Sequence, residues 1–320
     1  MDDGRAADAD AAQDVDAAQD GAETGPTLPV PSCLGLAATC GGPSGSKDCC
    51  GSNLVTGTAA TPFYRSNDVG FPATVSDFKL DMYEVTVGRF RSFVNAGKGT
   101  QASPPAPGDG AHPKVAGSGW DSAFTGSLTA ATFALKAALK CDATYPAWTD
   151  APNGNETRPM NCMTWFEAFA FCAWDGGRLP TETEWNYAAA GGVEQRDYPW
   201  GPGIDGGKAS YDCAGDGSDA GACAFSDLLP VGSKSPQGDG RWGQADLAGN
   251  VWEWTLDWYA SPYRLQCNNC ADLQSASSRV FRGGSFNSSS SSLLSSLRYY
   301  IAPTDRSNNL GVRCARTPVP

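Results

Sequence analysis

Histidine is almost absent from this sequence, since His112 is the single histidine among 320 residues. Sites that need several histidines are therefore excluded, including iron facial triads, multi-histidine zinc sites and a Ser-His-Asp triad centred elsewhere. Because His112 stands beside Pro113 in a stretch rich in proline and glycine, we expect its ring to be solvated in a loop.

Long hydrophobic runs and an excess of basic residues are also missing. No run of about 18 apolar residues occurs, so no membrane span is predicted. The net charge of -12 argues against nucleic acid as a partner. Residues 1–26 hold eight acidic residues against Arg5 alone, so residues 1–30 are expected to form a disordered acidic linker. Met1 runs directly into Asp2 and Asp3, without the features of a signal peptide.

Cysteine, by contrast, is abundant. Twelve cysteines, an even number, favour disulfides and an oxidising compartment. We therefore expect an exported protein, whether extracellular, at the cell surface or periplasmic, with a lipid anchor as one means of attachment. A cytosolic protein with free thiols is the alternative. Four cysteines crowd residues 31–52, where disulfides are favoured over zinc and the pairing is left open: Cys33, Cys40, Cys49 and Cys50.

Glycine and proline, with 38 and 22 residues, predict a loop-rich fold with little regular structure. Thr86 is a predicted helix cap that follows a strand over Phe78–Val85. Two capping boxes predict further helices: Thr164 with Glu167, and Thr181 with Glu184. Later strands are predicted over residues 251–259, 279–286 and 310–316. Three tryptophans fall in predicted loops and are free to line a groove: Trp120, Trp148 and Trp242.

Two dense motifs stand out, Gly177–Trp185 and Gly249–Trp254. In order with Asp81–Val94, Arg282–Asn287 and Asn309–Arg316, they resemble the formylglycine-generating enzyme (sulfatase-modifying factor) family over residues 60–318. The resemblance implies an α+β, C-type-lectin-like domain that is loop-rich and stapled by disulfides. It does not decide the function, because this family includes oxidases, iron enzymes and non-catalytic members.

The copper site of the family is the first function to test against the residues. In the generating enzymes, two cysteines bind copper(I), activate oxygen and convert a cysteine of a sulfatase Cys-x-Pro-x-Arg segment into formylglycine. Counted from Ser285, those positions are Ser288 and Leu293 in this chain. A hydroxyl is a poor ligand for a soft ion and leucine is none, so we predict neither copper binding nor formylglycine formation. The iron-dependent branch of the family needs a histidine cluster, which is missing.

The resemblance also implies a calcium site beside the Trp-Glu-Trp segment. The family positions fall on the carboxylates of Asp246 and Glu253 and on the backbone carbonyls of Gly249 and Val251. Hard oxygen donors of this kind suit calcium. The alternative is that Glu253 is only a buried hydrogen-bond acceptor and Asp246 a turn residue.

The remaining cysteines are expected to form structural disulfides. The resemblance pairs Cys172 with Cys314, and elimination suggests two more pairs, Cys141–Cys162 and Cys213–Cys223. Cys267 and Cys270 have the Cys-x-x-Cys spacing of thiol–disulfide oxidoreductases. That segment follows Pro262 in a predicted loop, with no helix N-terminus expected nearby to favour a thiolate. A small structural disulfide is therefore the favoured interpretation.

Three functions remain open. The favoured one is an exported, non-catalytic binding module that holds a peptide, protein or glycan. Its groove would be the former active site, floored by Ser285, Asn287, Ser288 and Tyr299. The second is an active formylglycine-generating oxidase that uses other ligands. The third is a diversified C-type-lectin-like receptor whose variable strip is the serine-, asparagine- and tyrosine-rich segment 287–309.

Overall fold

A computed structural model describes residues 30–37, 39–41, 45, 47–58, 61–218, 222–264 and 266–318. The predicted acidic linker, residues 1–30, lies outside them except for Val30. Short helices and strands are separated by long turns and loops, as the glycine and proline content predicts. Within the described residues, no helix is long and apolar enough to cross a membrane.

Three of the helices begin at predicted threonine caps. Thr86 Oγ1 accepts a hydrogen bond from Arg89 N at 3.3 Å, and both predicted capping boxes form, at Thr164 and Thr181. Because a cap satisfies amide groups that the helix leaves unpaired, these helices start where the local sequence dictates. The helices are α1 Val87–Asn95, α2 Thr132–Ala138, α3 Trp165–Trp174 and α4 Glu182–Ala189.

The strands form three small sheets. Their bounds are β1 Ser52–Val55, β2 Phe63–Tyr64, β3 Pro72–Thr74, β4 Phe78–Asp81, β5 Trp252–Trp258, β6 Cys267–Asn268, β7 Arg279–Arg282, β8 Tyr299–Ile301, β9 Leu310–Gly311 and β10 Ala315–Arg316. The sheet orders are β1-β4-β10, β2-β3-β6 and β8-β7-β5-β9. The predicted strand 310–316 is thus two strands in different sheets, because the chain crosses the core between them at the fully buried Val312, Arg313 and Cys314.

The main core packs α1 and α3 against β5. It is rich in aromatic rings, such as the stacked pair Phe90 and Phe171 at 5.5 Å. The expectation that Trp120 and Trp148 line a groove is wrong, since they are only 2% and 1% exposed. Trp120 packs edge-on against Phe169, which shows that these loops contribute to the core.

The cysteine-rich segment 31–52 folds onto the domain. Ser32 N donates to Asp175 Oδ1 at 2.9 Å, and Arg89 Nε donates to Ser32 Oγ at 3.0 Å. The buried side chains of Cys40 and Cys49 pack on Tyr83. Strand β1 is hydrogen-bonded to β4, so residues 52–55 belong to the same sheet as β4.

All twelve cysteines lie in six disulfides. Four join the partners named above: Cys172–Cys314, Cys141–Cys162, Cys213–Cys223 and Cys267–Cys270. The two pairs left open are Cys33–Cys50 and Cys40–Cys49. One expectation is wrong: a helix N-terminus does lie beside Cys267–Cys270, because α4 begins at Glu182 and Thr183 Oγ1 contacts both sulfurs. Chain folding brings the two together across more than 80 residues of sequence.

Candidate functional site

The segment after β7 carries Ser288 and Leu293, the two residues predicted to stand at the family's copper positions. Gly283 and Gly284 have φ values of 104° and 75°, which side-chain-bearing residues rarely adopt. A Cβ on Gly284 would lie 2.5 Å from Leu293 Cδ1, so only glycine lets the loop fold back this closely. Leu293 is fully buried, whereas Ser288 is partly exposed. The two positions therefore differ in character: one is a core residue and the other a surface hydroxyl.

Ser285, Asn287 and Ser288 form a hydrogen-bonded group. Ser285 Oγ lies 2.7 Å from Ser288 Oγ and donates to Asn287 Oδ1 at 2.8 Å. Asn309 Nδ2 also donates to Asn287 Oδ1, at 2.9 Å. Because Ser285 is fully buried, its hydroxyl supports the surface from below. Asn287 and Ser288 remain available at the surface.

Tyr299, the fourth predicted groove residue, lies on the edge strand β8. Its side chain is 47% exposed, and that of the neighbouring Tyr300 is 52% exposed. Tyr299 packs edge-on against Trp252 at 5.2 Å, and Tyr300 stacks on Tyr259 at 3.8 Å. Exposed aromatic rings held in place by neighbouring rings lose little side-chain entropy on binding, so this strip suits contact with a ligand.

The predicted calcium residues lie beside a buried cluster of acids. Glu253 accepts from Arg313 Nε and Nη2 at 2.7–2.8 Å and from Trp185 Nε1 at 2.7 Å. Glu84 accepts from Val251 N at 3.0 Å. Asp246, only 9% exposed, accepts from Gly232 N. Of these three buried carboxyls, Glu253 is the one that forms an ion pair with Arg313.

The pKa values of these carboxyls show which of them lack a positively charged partner. Burial raises the pKa of Asp246 to about 6, against the opposing hydrogen bond from Gly232 N. Burial, together with repulsion from Asp246 and Glu253, raises the pKa of Glu84 well above its ordinary value. Buried negative charge beside the carbonyls of a turn is a donor set typical of hard cations. Of the two predicted calcium carboxylates, Asp246 is the one that Arg313 does not pair with directly, so its charge is the less compensated.

The backbone of the calcium segment is fixed in an unusual conformation. Asp246, Gly249 and Asn250 have φ values of 57°, 89° and 57°. A Cβ on Gly249 would lie 2.3 Å from the carbonyl oxygen of Ser210, so only glycine is tolerated there. Asn250 Nδ2 donates to Glu84 Oε2 at 2.7 Å, which ties the turn to the acid cluster. The turn that carries residues 249–251 is thus fixed beside the acid cluster.

His112 is not solvated, contrary to expectation. It is 6% exposed, and its Nε2 lies 3.2 Å from Glu184 Oε1. Arg178 holds the same carboxylate through two hydrogen bonds of 2.6 Å. Lys114 N donates to Nδ1 at 3.0 Å, so both ring nitrogens of His112 have a hydrogen-bond partner. The three side chains line a polar cleft of about 700 Å³.

Comparison with known proteins decides the family. Residues 51–318 match the profile of the sulfatase-modifying factor enzyme 1-like domain. This chain belongs to that family. The mouse formylglycine-generating enzyme is 30% identical over 274 residues, which cover 77% of this chain and 68% of the mouse protein. The mouse inactive C-alpha-formylglycine-generating enzyme 2 is 31% identical over 291 residues, which cover 83% of each chain.

A solved structure agrees on the fold of this family member. PvdO from Pseudomonas aeruginosa has a TM-score of 0.55 at 21% identity, over 83% of this chain and 93% of that protein. At this identity the likeness concerns the fold alone. The predicted resemblance and fold class are confirmed. Because the relatives include both generating enzymes and inactive members, family membership leaves the activity open.

Proposed function

We propose that this family member is a non-catalytic binding module, exported to an oxidising compartment. The observation that carries the proposal is the state of its sulfur atoms: all twelve cysteines are in disulfides, while Ser288 and Leu293 occupy the copper positions. Copper(I) needs soft ligands, and neither residue supplies one. The mouse relative named as inactive, which matches 83% of this chain, supports a scaffold kept without the oxidase chemistry.

The proposed binding surface combines polar groups with aromatic rings. Asn287 and Ser288 offer amide and hydroxyl groups, and Tyr299 and Tyr300 supply exposed rings. Buried Ser285 fixes the polar group from below. Such a surface matches a peptide, protein or glycan, whose hydrogen-bonding groups and flat faces both need partners. Leu293 fills the space beneath the loop, so the ligand would lie across the surface.

We also propose that Asp246, Gly249, Val251 and Glu253 hold a structural calcium ion. The support is the excess of buried carboxyls over guanidinium groups and the turn geometry described above. Asp246 would contribute most of the charge, because Arg313 already engages both oxygens of Glu253. A bound divalent cation would compensate the charge on Asp246 and Glu84 and fix the turn that precedes β5.

Copper(I) affinity tests the non-catalytic proposal. The folded protein with its six disulfides would be titrated against a chromophoric copper(I) chelator, with an active formylglycine-generating enzyme as the positive control. We expect this protein to leave the chelator complex intact. Stoichiometric removal of copper from the chelator would contradict the proposal. If a Ser288→Ala variant no longer removed copper from the chelator, the copper ligand would lie in the loop that carries Ser288.

A further inference from the structure

We propose that Cys267–Cys270 is a redox-active disulfide that exchanges with dithiols of a partner protein. This activity is separate from the proposed binding function and uses different residues. The proposal depends on three features around the pair: the start of α4, the Arg65 guanidinium and a groove that reaches the disulfide. The first two favour the thiolate that thiol–disulfide exchange requires, and the third gives a partner access.

The start of α4 faces both sulfurs. Thr183, in the first turn of this helix, places its Oγ1 3.4 Å from Cys267 Sγ and 3.5 Å from Cys270 Sγ. A helix N-terminus carries partial positive charge, and a hydroxyl can donate a hydrogen bond to sulfur. When the disulfide opens, the same helix turn therefore stabilises whichever sulfur becomes the thiolate. Enzymes that use the Cys-x-x-Cys spacing favour the thiolate in this way.

Arg65 makes the two sulfurs inequivalent. Its Nη1 lies 3.8 Å from Cys270 Sγ. Cys267 is only 7% exposed, whereas Cys270 is partly exposed. A guanidinium close to a sulfur stabilises its thiolate, and exposure lets a second sulfur approach. Because Cys270 is the more exposed sulfur, it is the one that a partner attacks, and Cys267 is the internal leaving group. The Arg65 guanidinium then favours the release of Cys270 as a thiolate in the second step.

A buried acid lies next to Cys270. Asp257 and Cys270 line the same cavity of about 10 Å³, which is roughly the volume that one water molecule needs. Burial, and then the neighbouring Glu182 carboxylate, raise the pKa of Asp257 to about 7. Near neutral pH this carboxyl can therefore accept or return a proton through one water molecule as the thiol forms or ionises.

A surface groove reaches the disulfide on its Cys267 side. It has a volume of about 900 Å³ and is lined by Phe71, Pro72, Thr74, Cys267 and Asn268, with Arg65 also on its wall. The volume suits an extended peptide segment. Cys172 and Cys314, by contrast, are both fully buried in the main core.

The thiol–disulfide exchange takes place in two steps. A partner thiolate attacks Cys270 Sγ, the Cys267–Cys270 bond breaks, and Cys267 leaves as a thiolate beside Thr183. A second partner thiolate then attacks its own sulfur in the mixed disulfide and releases Cys270 as a thiolate beside Arg65. The partner dithiol loses two electrons and becomes a disulfide, and Cys267–Cys270 gains them and becomes a dithiol after taking up two protons. A small-molecule disulfide such as oxidised glutathione reverses the change and restores the pair.

The test equilibrates the full chain with buffers of reduced and oxidised glutathione. After acid quenching and alkylation, mass spectrometry measures the reduced fraction of each cysteine pair, and tryptophan fluorescence reports the fold. We expect the equilibrium constant for reduction by glutathione to be at least tenfold larger for Cys267–Cys270 than for Cys172–Cys314. This factor corresponds to a difference of about 30 mV in reduction potential. The protein should stay folded while Cys267–Cys270 is reduced. Reduction of both pairs together, or only as the protein unfolds, would overturn the proposal.

Variants identify the groups responsible. Thr183→Val and Arg65→Gln should each lower the reduced fraction of Cys267–Cys270 at a fixed buffer ratio. Arg264→Gln is the matched control, because Arg264 lines the same small cavity but pairs with Asp272 and contacts neither sulfur. A change in Arg264→Gln equal to that in Arg65→Gln would reject a specific role for Arg65.

Trapping with oxidised glutathione tests the order of attack. In a Cys267→Ser variant, Cys270 should form a mixed disulfide with glutathione at least tenfold faster than Cys267 does in a Cys270→Ser variant. The physical reason is the greater exposure of Cys270 and the nearby Arg65 guanidinium. Equal rates would contradict the assignment of Cys270 as the attacked sulfur. If both thiols formed the mixed disulfide no faster than a thiol in an unfolded control peptide, the proposed redox activity would be rejected.

Discussion

Leu293 fixes the loop after β7 to an apolar cluster. Its fully buried side chain packs with Ala209 and Ala248, and Tyr198 and Tyr211 cover the cluster. One of the two predicted copper positions is thus occupied by a residue of an apolar core. Ser288, at the other predicted position, contacts Ser285 and remains partly exposed.

Stability measurements can separate these two positions. Leu293→Ala should lower the free energy of unfolding by about 2–5 kcal/mol, because it removes a buried side chain and leaves a cavity. Ser288→Ala is the control and should change it by less than about 1 kcal/mol, since one partly exposed hydrogen bond is lost. Urea denaturation followed by tryptophan fluorescence gives both values. Equal effects would mean that Leu293 does not carry the packing inferred for it.

Glu184 gives the protein a defined response to acid. Burial alone would raise its pKa, but the ion pair with Arg178 and the hydrogen bond from His112 lower it to about 2, from an ordinary value of 4.5. A carboxyl with a lowered pKa stabilises the fold above its unfolded pKa and loses that contribution as the pH falls. We expect a loss of about 3 kcal/mol between pH 5 and pH 2 from this group.

The acid response is measured as the free energy of unfolding between about pH 5 and pH 2. The Glu184→Gln variant should be less stable than the wild type at pH 5, because it leaves Arg178 without its buried partner. Its stability should also fall less steeply toward low pH. If the two proteins had parallel pH profiles, Glu184 would not be the group responsible.

At the scale of elements, α4 joins several parts of the molecule. Its cap, Thr181, forms the predicted capping box. Trp185 Nε1 donates to Glu253 in β5 at 2.7 Å. Asn186 Nδ2 donates to the carbonyl oxygen of Ser295 at 2.9 Å, which ties the helix to the loop between β7 and β8. Correct placement of this helix therefore affects the acid cluster and the proposed binding surface together.

The cap of α4 is open to a direct test. Thr181→Ala removes the side chain that accepts from Glu184 N at 3.0 Å, and should lower the free energy of unfolding by about 1 kcal/mol. Thr304→Ala, at an exposed turn, is the control and should stay within about 0.5 kcal/mol of the wild type. Thermal and urea unfolding of both variants would show the difference. An unchanged Thr181→Ala variant would indicate that tertiary contacts alone fix the helix start.

The sequence predicts these elements unevenly, for a physical reason. Caps such as Thr164 and Thr181 act on amides a few residues away, so a short motif contains the whole signal. The burial of His112 depends on Glu184, 72 residues later, and the contact between Thr183 and Cys267 spans 84 residues. No local pattern encodes such contacts. For the candidate site, the family motifs predicted Ser285 and Ser288, and that prediction stays a prediction. The burial of Leu293 in the core emerged only from the fold.

At the scale of the whole molecule, long-range covalent and ionic links hold a loop-rich chain together. Cys172–Cys314 joins α3 to the segment between β9 and β10 across 142 residues. The Arg313 guanidinium lies in the core and links that same segment to Glu253 in β5. The proposed calcium ion would act at the same place, next to Asp246. Its binding should therefore be visible as a change in global stability.

Calcium should raise the melting temperature of protein that has first been treated with a chelator. At free calcium about 100-fold above the Kd, the expected stabilisation is about 3 kcal/mol. Asp246→Ala should remove most of this effect, because it deletes the predicted calcium carboxylate that Arg313 does not pair with directly. Asp305→Ala, at an exposed position, is the matched control and should respond like the wild type. A wild-type protein with no response to calcium would contradict the proposed site.

The central claim, that this family member has lost the oxidase chemistry, is tested most directly by its action on a sulfatase peptide. A Cys-x-Pro-x-Arg peptide would be incubated with the protein, copper and oxygen, and its mass followed beside a reaction with an active formylglycine-generating enzyme. We predict an unchanged cysteine, because Ser288 and Leu293 supply no thiolate. Conversion of that cysteine to formylglycine would contradict the account and show that other groups hold the copper.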